Sequence, residues 1–94
     1  MKFNIGDRVK WLNSNNTLYR YIIISTREQD LNTDYLESKK GTFLIKNIEK
    51  LAKNNFSTPK GFDYVICQES EYFENNDSIL VKNFINVTEE ELNY

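Results

Sequence analysis

The stretch TLYRYIIIST, residues 17–26, restricts how this chain can fold more than any other feature. Aromatic and β-branched residues dominate it, which predicts a strand over 17–26. Its centre, Tyr21 to Ile24, is apolar at four consecutive positions, so both faces of the strand are apolar. A flat, exposed sheet containing such a strand would aggregate. The run therefore predicts a closed or strongly curved sheet that covers both of its faces.

Four further strands are predicted from short apolar or alternating runs: 8–12, 42–48, 62–69 and 79–87. In the last of these, four apolar residues share one face: Ile79, Val81, Ile85 and Val87. The segment 42–55 is ambiguous, since it also carries a helical stripe, and we interpret it as a strand running into a short helical turn. Five short strands are too few for a large sandwich but enough for a small barrel.

The connections between these strands carry recognisable turn signals. NSNN, residues 13–16, is built from residues that tolerate unusual backbone angles. TPKG, residues 58–61, fits a type I turn with Pro59 at its second position and Gly61 at its fourth. Residues 27–41 form a long polar loop that holds one helical turn. Thr88 and Glu91 match a capping box, which predicts a closing helical turn with Leu92 folded inward.

The length of 94 residues predicts a single domain over 1–94, because domains commonly run to about 100–150 residues. A chain this short buries roughly 60–65% of the surface that its unfolded form exposes, so a few large side chains supply much of its core. The six Tyr, six Phe and one Trp are therefore expected in the core or on strands before they are expected in a ligand site.

Two terminal segments carry a family resemblance. Phe3-x-x-Gly6-Asp7-x-Val9 combines a Gly-Asp turn with a strand whose next apolar residue enters the core, and VTEEEL, residues 87–92, is an acidic turn followed by a packed Leu. Together they resemble the small Src-homology-3-like barrels of the Tudor and KOW kind. The resemblance implies a mainly β, five-stranded barrel that docks RNA, ribosomes, polymerase or peptide tails through its loops and strand edges.

The sequence argues against catalysis and against a cofactor. It contains no His, which removes the usual general base near neutral pH, the common triads and the common zinc sites. Its three glycines lie far apart, so no glycine-rich phosphate loop exists. Cys67 lies mid-strand without a His partner and is interpreted as a buried thiol. We expect no enzyme, no cofactor and no metal site.

The compartment is expected to be the cytoplasm, without a membrane partner. A single cysteine excludes an internal disulfide. No apolar run follows a positive stretch near the N-terminus, and no segment approaches membrane-spanning length.

Charge is distributed unevenly within the net value of −2. Residues 1–60 hold eleven Lys and Arg against six acids, and residues 61–94 hold one Lys against eight acids. The halves either pair across the fold or present a basic and an acidic face to a charged partner. The basic series consists of Lys39, Lys40, Lys46, Lys50, Lys53 and Lys60, and the acidic series of Glu69, Glu71, Glu74, Asp77 and Glu89 to Glu91. A solvated surface is the simpler explanation of either series.

Three sets of residues are candidates for partner binding. Trp11, Tyr19 and Tyr21 flank the NSNN turn and either pack in the core or form an aromatic groove for bases, a peptide or a methylated side chain. Lys46 and Lys50 represent the basic series, which would contact phosphates. The carboxylates of the acidic series would imitate phosphates, and its candidates are Glu69, Glu71, Glu74 and Asp77.

We therefore expect a non-catalytic binding module that docks a protein partner. The first alternative is a phage or mobile-element inhibitor of a host nucleic-acid enzyme, acting through the acidic C-terminal half. The second is a nucleic-acid-docking barrel that uses the Lys series. The net negative charge and the missing KOW glycine in the turn after Trp11 put a protein partner ahead of nucleic acid.

Overall fold

Five strands and two short helical elements make up the part of the chain that a computed structural model describes, residues 2–38, 56–69 and 84–94. The strands are β1 (Arg8–Trp11), β2 (Tyr21–Thr26), β3 (Tyr64–Gln68), β4 (Ile85–Val87) and β5 (Leu92–Asn93). Helix α1 covers Thr33–Ser38, and a 3₁₀ helix covers Glu89–Glu91. The predicted mainly β fold is thereby confirmed.

The five strands form one antiparallel sheet in the order β4-β3-β2-β1-β5. The central strand β2 pairs with β1 through Val9↔Tyr21 and with β3 through Ile22↔Cys67. The outermost strands β4 and β5 are not paired with each other in the described part of the chain, so the sheet is not closed into a barrel.

The sheet is nevertheless strongly curved, because its two edge strands are nearly adjacent in sequence. Four residues separate Val87 at the end of β4 from Leu92 at the start of β5. Across a flat five-stranded sheet the two edges would lie about 19 Å apart, at about 4.8 Å per strand. A chain of five residue steps spans at most about 18 Å when fully extended, and the 3₁₀ helix rises only about 2 Å per residue. The edges must therefore curl toward each other.

Both faces of β2 are covered, and every residue of this strand is buried. One face belongs to a cluster that draws on all five strands: Phe3, Val9, Tyr21, Ile23, Tyr64, Ile66, Val87 and Leu92. The other face belongs to a second cluster: Ile5, Ile22, Ile24, Leu31, Val65 and Cys67, with Tyr35, Phe56 and Phe84 packed against it. The prediction that something covers both faces of the run Tyr21 to Ile24 is confirmed, and Cys67 is buried as expected.

The two short helical elements begin where polar side chains accept backbone hydrogen bonds. The amide of Tyr35 donates to Asn32 Oδ1 (2.9 Å) at the start of α1, which confirms a helical turn within 27–41. At the 3₁₀ helix the Thr88 amide donates to Glu91 Oε2 (2.7 Å), as the capping box predicted. Leu92 follows and is buried.

The strands expected over 8–12 and 62–69 are one and three residues shorter than predicted, and three other features of the fold were predicted wrongly. The strand expected over 17–26 begins only at Tyr21, because backbone groups before it are used in a turn around Asn16. The turn expected over 58–61 lies one residue later, where the amide of Phe62 donates to the Pro59 carbonyl (3.2 Å). Gly61 is then its third residue, with a φ of 95° that suits glycine. The third error is β5, which was not predicted at all.

Some predictions fall outside the described residues. These are the strand over 42–48, the helical turn that was to follow it, and the first part of the strand expected over 79–87. Ile85 and Val87 in the last part of that strand do share a face, since both lie with the cluster that contains Leu92. Among the described helices none is long and apolar enough to span a membrane.

Candidate functional site

The loop between β1 and β2, residues 12–20, exposes most of the large apolar side chains that the described surface presents. Leu18 is 83% exposed, Leu12 60% and Tyr19 44%. The two other exposed large apolar residues among those described, Phe62 and Tyr94, lie elsewhere in the sequence. We call Leu12, Leu18 and Tyr19 the loop patch. Apolar side chains gathered in one loop are typical of an interaction surface, whereas scattered ones need no explanation.

Hydrogen bonds around Asn16 hold the loop in one conformation. Its side-chain Oδ1 accepts from the Leu18 amide (2.9 Å), and its carbonyl accepts from the Tyr19 amide (3.2 Å). Ser14 donates its amide to the Trp11 carbonyl (3.0 Å), and its hydroxyl lies 3.1 Å from the Tyr21 hydroxyl. An Asn side chain that bonds the backbone two residues on replaces strand pairing with a turn. The loop patch is therefore held out into solvent by a structured turn.

A second set of contacts fastens the loop to the 3₁₀ helix. The Leu12 amide donates to the Glu91 carbonyl (2.8 Å), and Asn13 Nδ2 donates to Glu91 Oε1 (2.8 Å). Glu91 thus caps its own helix and anchors the loop at the same time. A preformed loop loses little conformational entropy when it binds a partner.

Trp11 and Tyr21, predicted to flank a groove, pack on each other beneath the loop. Their rings meet edge to face, with centroids 5.7 Å apart and an interplanar angle of 79°. Tyr21 is only 5% exposed and lies in the core, and Trp11 is half-buried against the same cluster. The indole Nε1 of Trp11 is buried and finds no acceptor among the described residues. The Trp11 ring therefore packs against the core cluster and is partly exposed.

Tyr19 is the member of the predicted aromatic set that faces solvent. It lies in the loop rather than on a strand, and no ring contact to Trp11 or Tyr21 joins it among the described aromatic pairs. The other exposed apolar side chains of the loop are Leu12 and Leu18, which the sequence analysis did not select. The signal that could have found them is their position, since each lies one to two residues outside the NSNN turn.

Glu69 is the one carboxylate among the four acidic binding candidates that the structure describes, and it forms a bidentate ion pair with Arg8. The Arg8 Nε lies 2.8 Å from Glu69 Oε1, and the Arg8 Nη2 donates to Glu69 Oε2 (2.9 Å). Arg27 pairs with Asp63 through one contact, Nη1 to Oδ1 (3.0 Å). Both pairs join the basic N-terminal part of the chain to its acidic C-terminal part, as one of the two charge interpretations predicted.

The remaining charged candidates lie outside the described residues. Lys46 and Lys50 belong to this group, and so do Glu71, Glu74 and Asp77. The inhibitor and nucleic-acid interpretations that depend on them stay predictions.

A buried tyrosine ties the N-terminal segment to the 3₁₀ helix. The Tyr64 hydroxyl accepts from the Phe3 amide (3.1 Å) and donates to Glu89 Oε1 (2.7 Å), which also accepts from the Lys2 amide (2.9 Å). Burial, followed by the hydrogen bond to Glu89, raises the pKa of Tyr64 to about 12. The Tyr64 and Lys2 donors hold the pKa of Glu89 below its ordinary value. These contacts join β3, the N-terminal segment and the 3₁₀ helix that precedes β5.

Comparisons of the chain with protein-family models, with curated protein sequences and with solved structures found no significant match. Its function is therefore inferred from its own residues.

Proposed function

We propose that this chain is a non-catalytic binding module that docks a protein partner through the loop patch. The observation that carries the proposal is the exposure of Leu18, which is 83% accessible on a loop whose backbone is fixed by hydrogen bonds. Covering a Leu side chain removes it from water and is worth about 1.5–3 kcal/mol. A partner that covers Leu12, Leu18 and Tyr19 together gains that free energy without having to order the loop.

Charge around the loop patch favours a protein partner over nucleic acid. Residues 11–20 contain a single cation, Arg20, and the neighbouring 3₁₀ helix consists of three glutamates. Nucleic-acid sites need several cations to contact phosphates. An apolar patch beside carboxylates fits an apolar protein surface bordered by basic or polar residues.

The finer assignment of the fold is a proposal of the same kind. We propose a Src-homology-3-like barrel of the Tudor and KOW kind. The strand order β4-β3-β2-β1-β5 and the 3₁₀ helix that links the two edge strands support it. Three residues that carry the resemblance, Phe3, Val9 and Leu92, lie in one core cluster, and Gly6 has a φ of 91° in the turn before β1. A cytoplasmic location is proposed on the single cysteine of the sequence.

The test is an affinity capture from a lysate of the source cell with three baits. They are the wild type, the double variant Leu18→Ser with Tyr19→Ser, and Phe62→Ser as a matched control that removes an exposed apolar side chain elsewhere. Each lysate is divided into nuclease-treated and untreated halves, and retained proteins are quantified by mass spectrometry. The fold of each bait is checked by its thermal midpoint.

The expected result is a protein retained after nuclease treatment by the wild type and by Phe62→Ser. The double variant should retain it at least about tenfold less, as for the loss of interface anchors worth about 1.4 kcal/mol or more. Equal retention by all three baits would show that the loop patch is not the surface that binds the partner. Recovery of nucleic acid alone, lost after nuclease treatment, would mean that a nucleic-acid module is the right function.

A further inference from the structure

The carboxylate of Glu91 uses its two oxygens toward two different parts of the chain. Oε1 accepts from Asn13 Nδ2 (2.8 Å) in the loop, and Oε2 accepts from the Thr88 amide (2.7 Å) at the start of the 3₁₀ helix. The Glu91 carbonyl accepts in addition from the Leu12 amide (2.8 Å). One residue therefore joins the helix that links the two edge strands to the first member of the loop patch.

Hydrogen bonds continue from this point through the loop to its exposed side chains. Ser14 donates its amide to the Trp11 carbonyl (3.0 Å) and its hydroxyl to the Asn16 carbonyl (3.2 Å). Asn16 in turn accepts from the amides of Leu18 and Tyr19. The loop patch and the 3₁₀ helix are therefore connected by contiguous short-range contacts.

The contact between Asn13 and Glu91 needs a donor on one side and an acceptor on the other. An ionised carboxylate only accepts, whereas a side-chain amide both donates and accepts. Glu91 therefore requires a donor at position 13. A second carboxylate at that position would face Glu91 across a hydrogen-bond distance, and the two negative charges would repel each other.

Exchanging the two chemistries would restore the bond with its donor on the other residue. A capping box takes Glu or Gln at its third helical position, since either side chain offers an oxygen to the capping residue. With Glu91→Gln, the amide oxygen accepts from Thr88 and the amide nitrogen is left to donate to position 13. Asn13→Asp together with Glu91→Gln therefore keeps both contacts of the residue and the net charge of the pair.

We propose that Asn13 and Glu91 are a positioning pair, through which the loop patch and the 3₁₀ helix open and close as one cooperative unit. Native proteins open locally in contiguous units whose members share one opening free energy. A partner that binds only the closed loop stabilises every contact of the unit by mass action. Binding at the loop patch therefore also stabilises the link between the two edge strands. This consequence rests on the proposed function, whereas the positioning pair itself does not.

Hydrogen exchange of the backbone amides of the full chain, followed by ¹⁵N NMR, tests the pair without any partner. The variants are Asn13→Asp, Glu91→Gln and the two combined, with Asn15→Asp as the matched control. Asn15 is exposed in the same loop and makes no hydrogen bond with a described residue, so its substitution adds the same charge without touching the pair. The thermal midpoint of each variant checks its fold.

We expect Asn13→Asp to lower the exchange protection of the Leu12, Leu18 and Glu91 amides by one common factor. The factor should be about fivefold, which corresponds to about 1 kcal/mol, as for one lost hydrogen bond. Glu91→Gln should change protection by less than about twofold, because Asn13 then turns its amide and accepts. The combined variant should exchange as the wild type does, and so should Asn15→Asp.

Three results would overturn the positioning pair. They are a loss of protection confined to Leu12 with Leu18 unchanged, equal losses in Asn13→Asp and Asn15→Asp, and a combined variant that exchanges as fast as Asn13→Asp. The capture experiment judges the proposed function separately. If exchange behaves as expected while all three baits retain the partner equally, the positioning pair stands and only its consequence for partner binding is lost.

Discussion

The substitution Tyr64→Phe removes a single buried oxygen that joins three parts of the chain. The hydroxyl accepts from the Phe3 amide and donates to Glu89, so it links β3, the N-terminal segment and the 3₁₀ helix. The ring itself packs edge to face on Phe3, with centroids 5.6 Å apart. A Phe ring keeps that packing. The variant therefore isolates the polar contribution.

The expected loss follows from the two hydrogen bonds. A neutral bond contributes about 0.5–1.5 kcal/mol, a bond to a charged group contributes more, and a buried amide left without an acceptor costs about 1–3 kcal/mol. Tyr64 and Phe3 are both fully buried, so water cannot replace the lost acceptor. We expect Tyr64→Phe to lower the free energy of unfolding by about 2–3 kcal/mol. For a domain of this size that corresponds to a fall in thermal midpoint of about 10–20 °C.

Urea unfolding at neutral pH measures this change, and the fluorescence of Trp11, the only tryptophan, reports it. Tyr19→Phe is the control, since the exposed Tyr19 hydroxyl makes no hydrogen bond with a described residue, and it should change stability by less than about 0.5 kcal/mol. The pKa of Tyr64 is raised in the fold, so its contribution is complete below about pH 10 and is lost as pH rises toward 12. Tyr64→Phe should lack that alkaline loss. A variant as stable as the wild type would refute the reasoning.

Two further predictions concern Glu89 and Trp11. The pKa of Glu89 is lowered in the fold, chiefly by the Tyr64 hydroxyl, so its contribution is present above the ordinary value of 4.5 and is lost as pH falls through the lowered pKa. Glu89→Gln should therefore lose less thermal stability than the wild type between about pH 5 and pH 2; parallel curves would contradict this. Trp11→Ala should cost about 3 kcal/mol, at the low end for a large core residue because Trp11 is half-buried. Trp11→Phe should cost less than about 1.5 kcal/mol, since it also removes a buried N–H without an acceptor, and urea unfolding followed by circular dichroism compares the two. A cost well above about 1.5 kcal/mol for Trp11→Phe would show that removing the unsatisfied N–H brings no compensating gain.

The curved sheet was predictable because its cause is local. Four consecutive apolar residues from Tyr21 to Ile24 require cover on both faces, whatever else the chain does, and the structure supplies it from two clusters. The capping box at Thr88 and Glu91 was predictable for the same reason, since both partners lie within one turn. The burial of Cys67 was predictable from its place in the middle of an apolar strand.

The candidate site could not be predicted to the same depth, because it depends on competition between local hydrogen bonds and strand pairing. Residues 17–20 have the composition of a strand. Asn16 nevertheless accepts hydrogen bonds from the amides of Leu18 and Tyr19, so β2 begins only at Tyr21. Sequence reasoning therefore placed Tyr19 on a strand and overlooked Leu18. β5 was missed because a strand of two residues has no periodicity, and only its pairing with Lys10 and Trp11 defines it.

The loop patch and the hydrogen bonds of Tyr64 involve different side chains. The loop patch holds Leu12 and Leu18 in solvent on a backbone fixed by hydrogen bonds. Neither of these side chains takes part in the hydrogen bonds by which Tyr64 joins Phe3 and Glu89. Leu18→Ser should therefore weaken partner binding while leaving the thermal midpoint within about 2–4 °C of the wild type, the shift expected for about 0.5 kcal/mol. Tyr64→Phe should do the reverse, lowering the midpoint while the remaining folded molecules still bind. Stability and binding would then reside in separate sets of residues within one small domain.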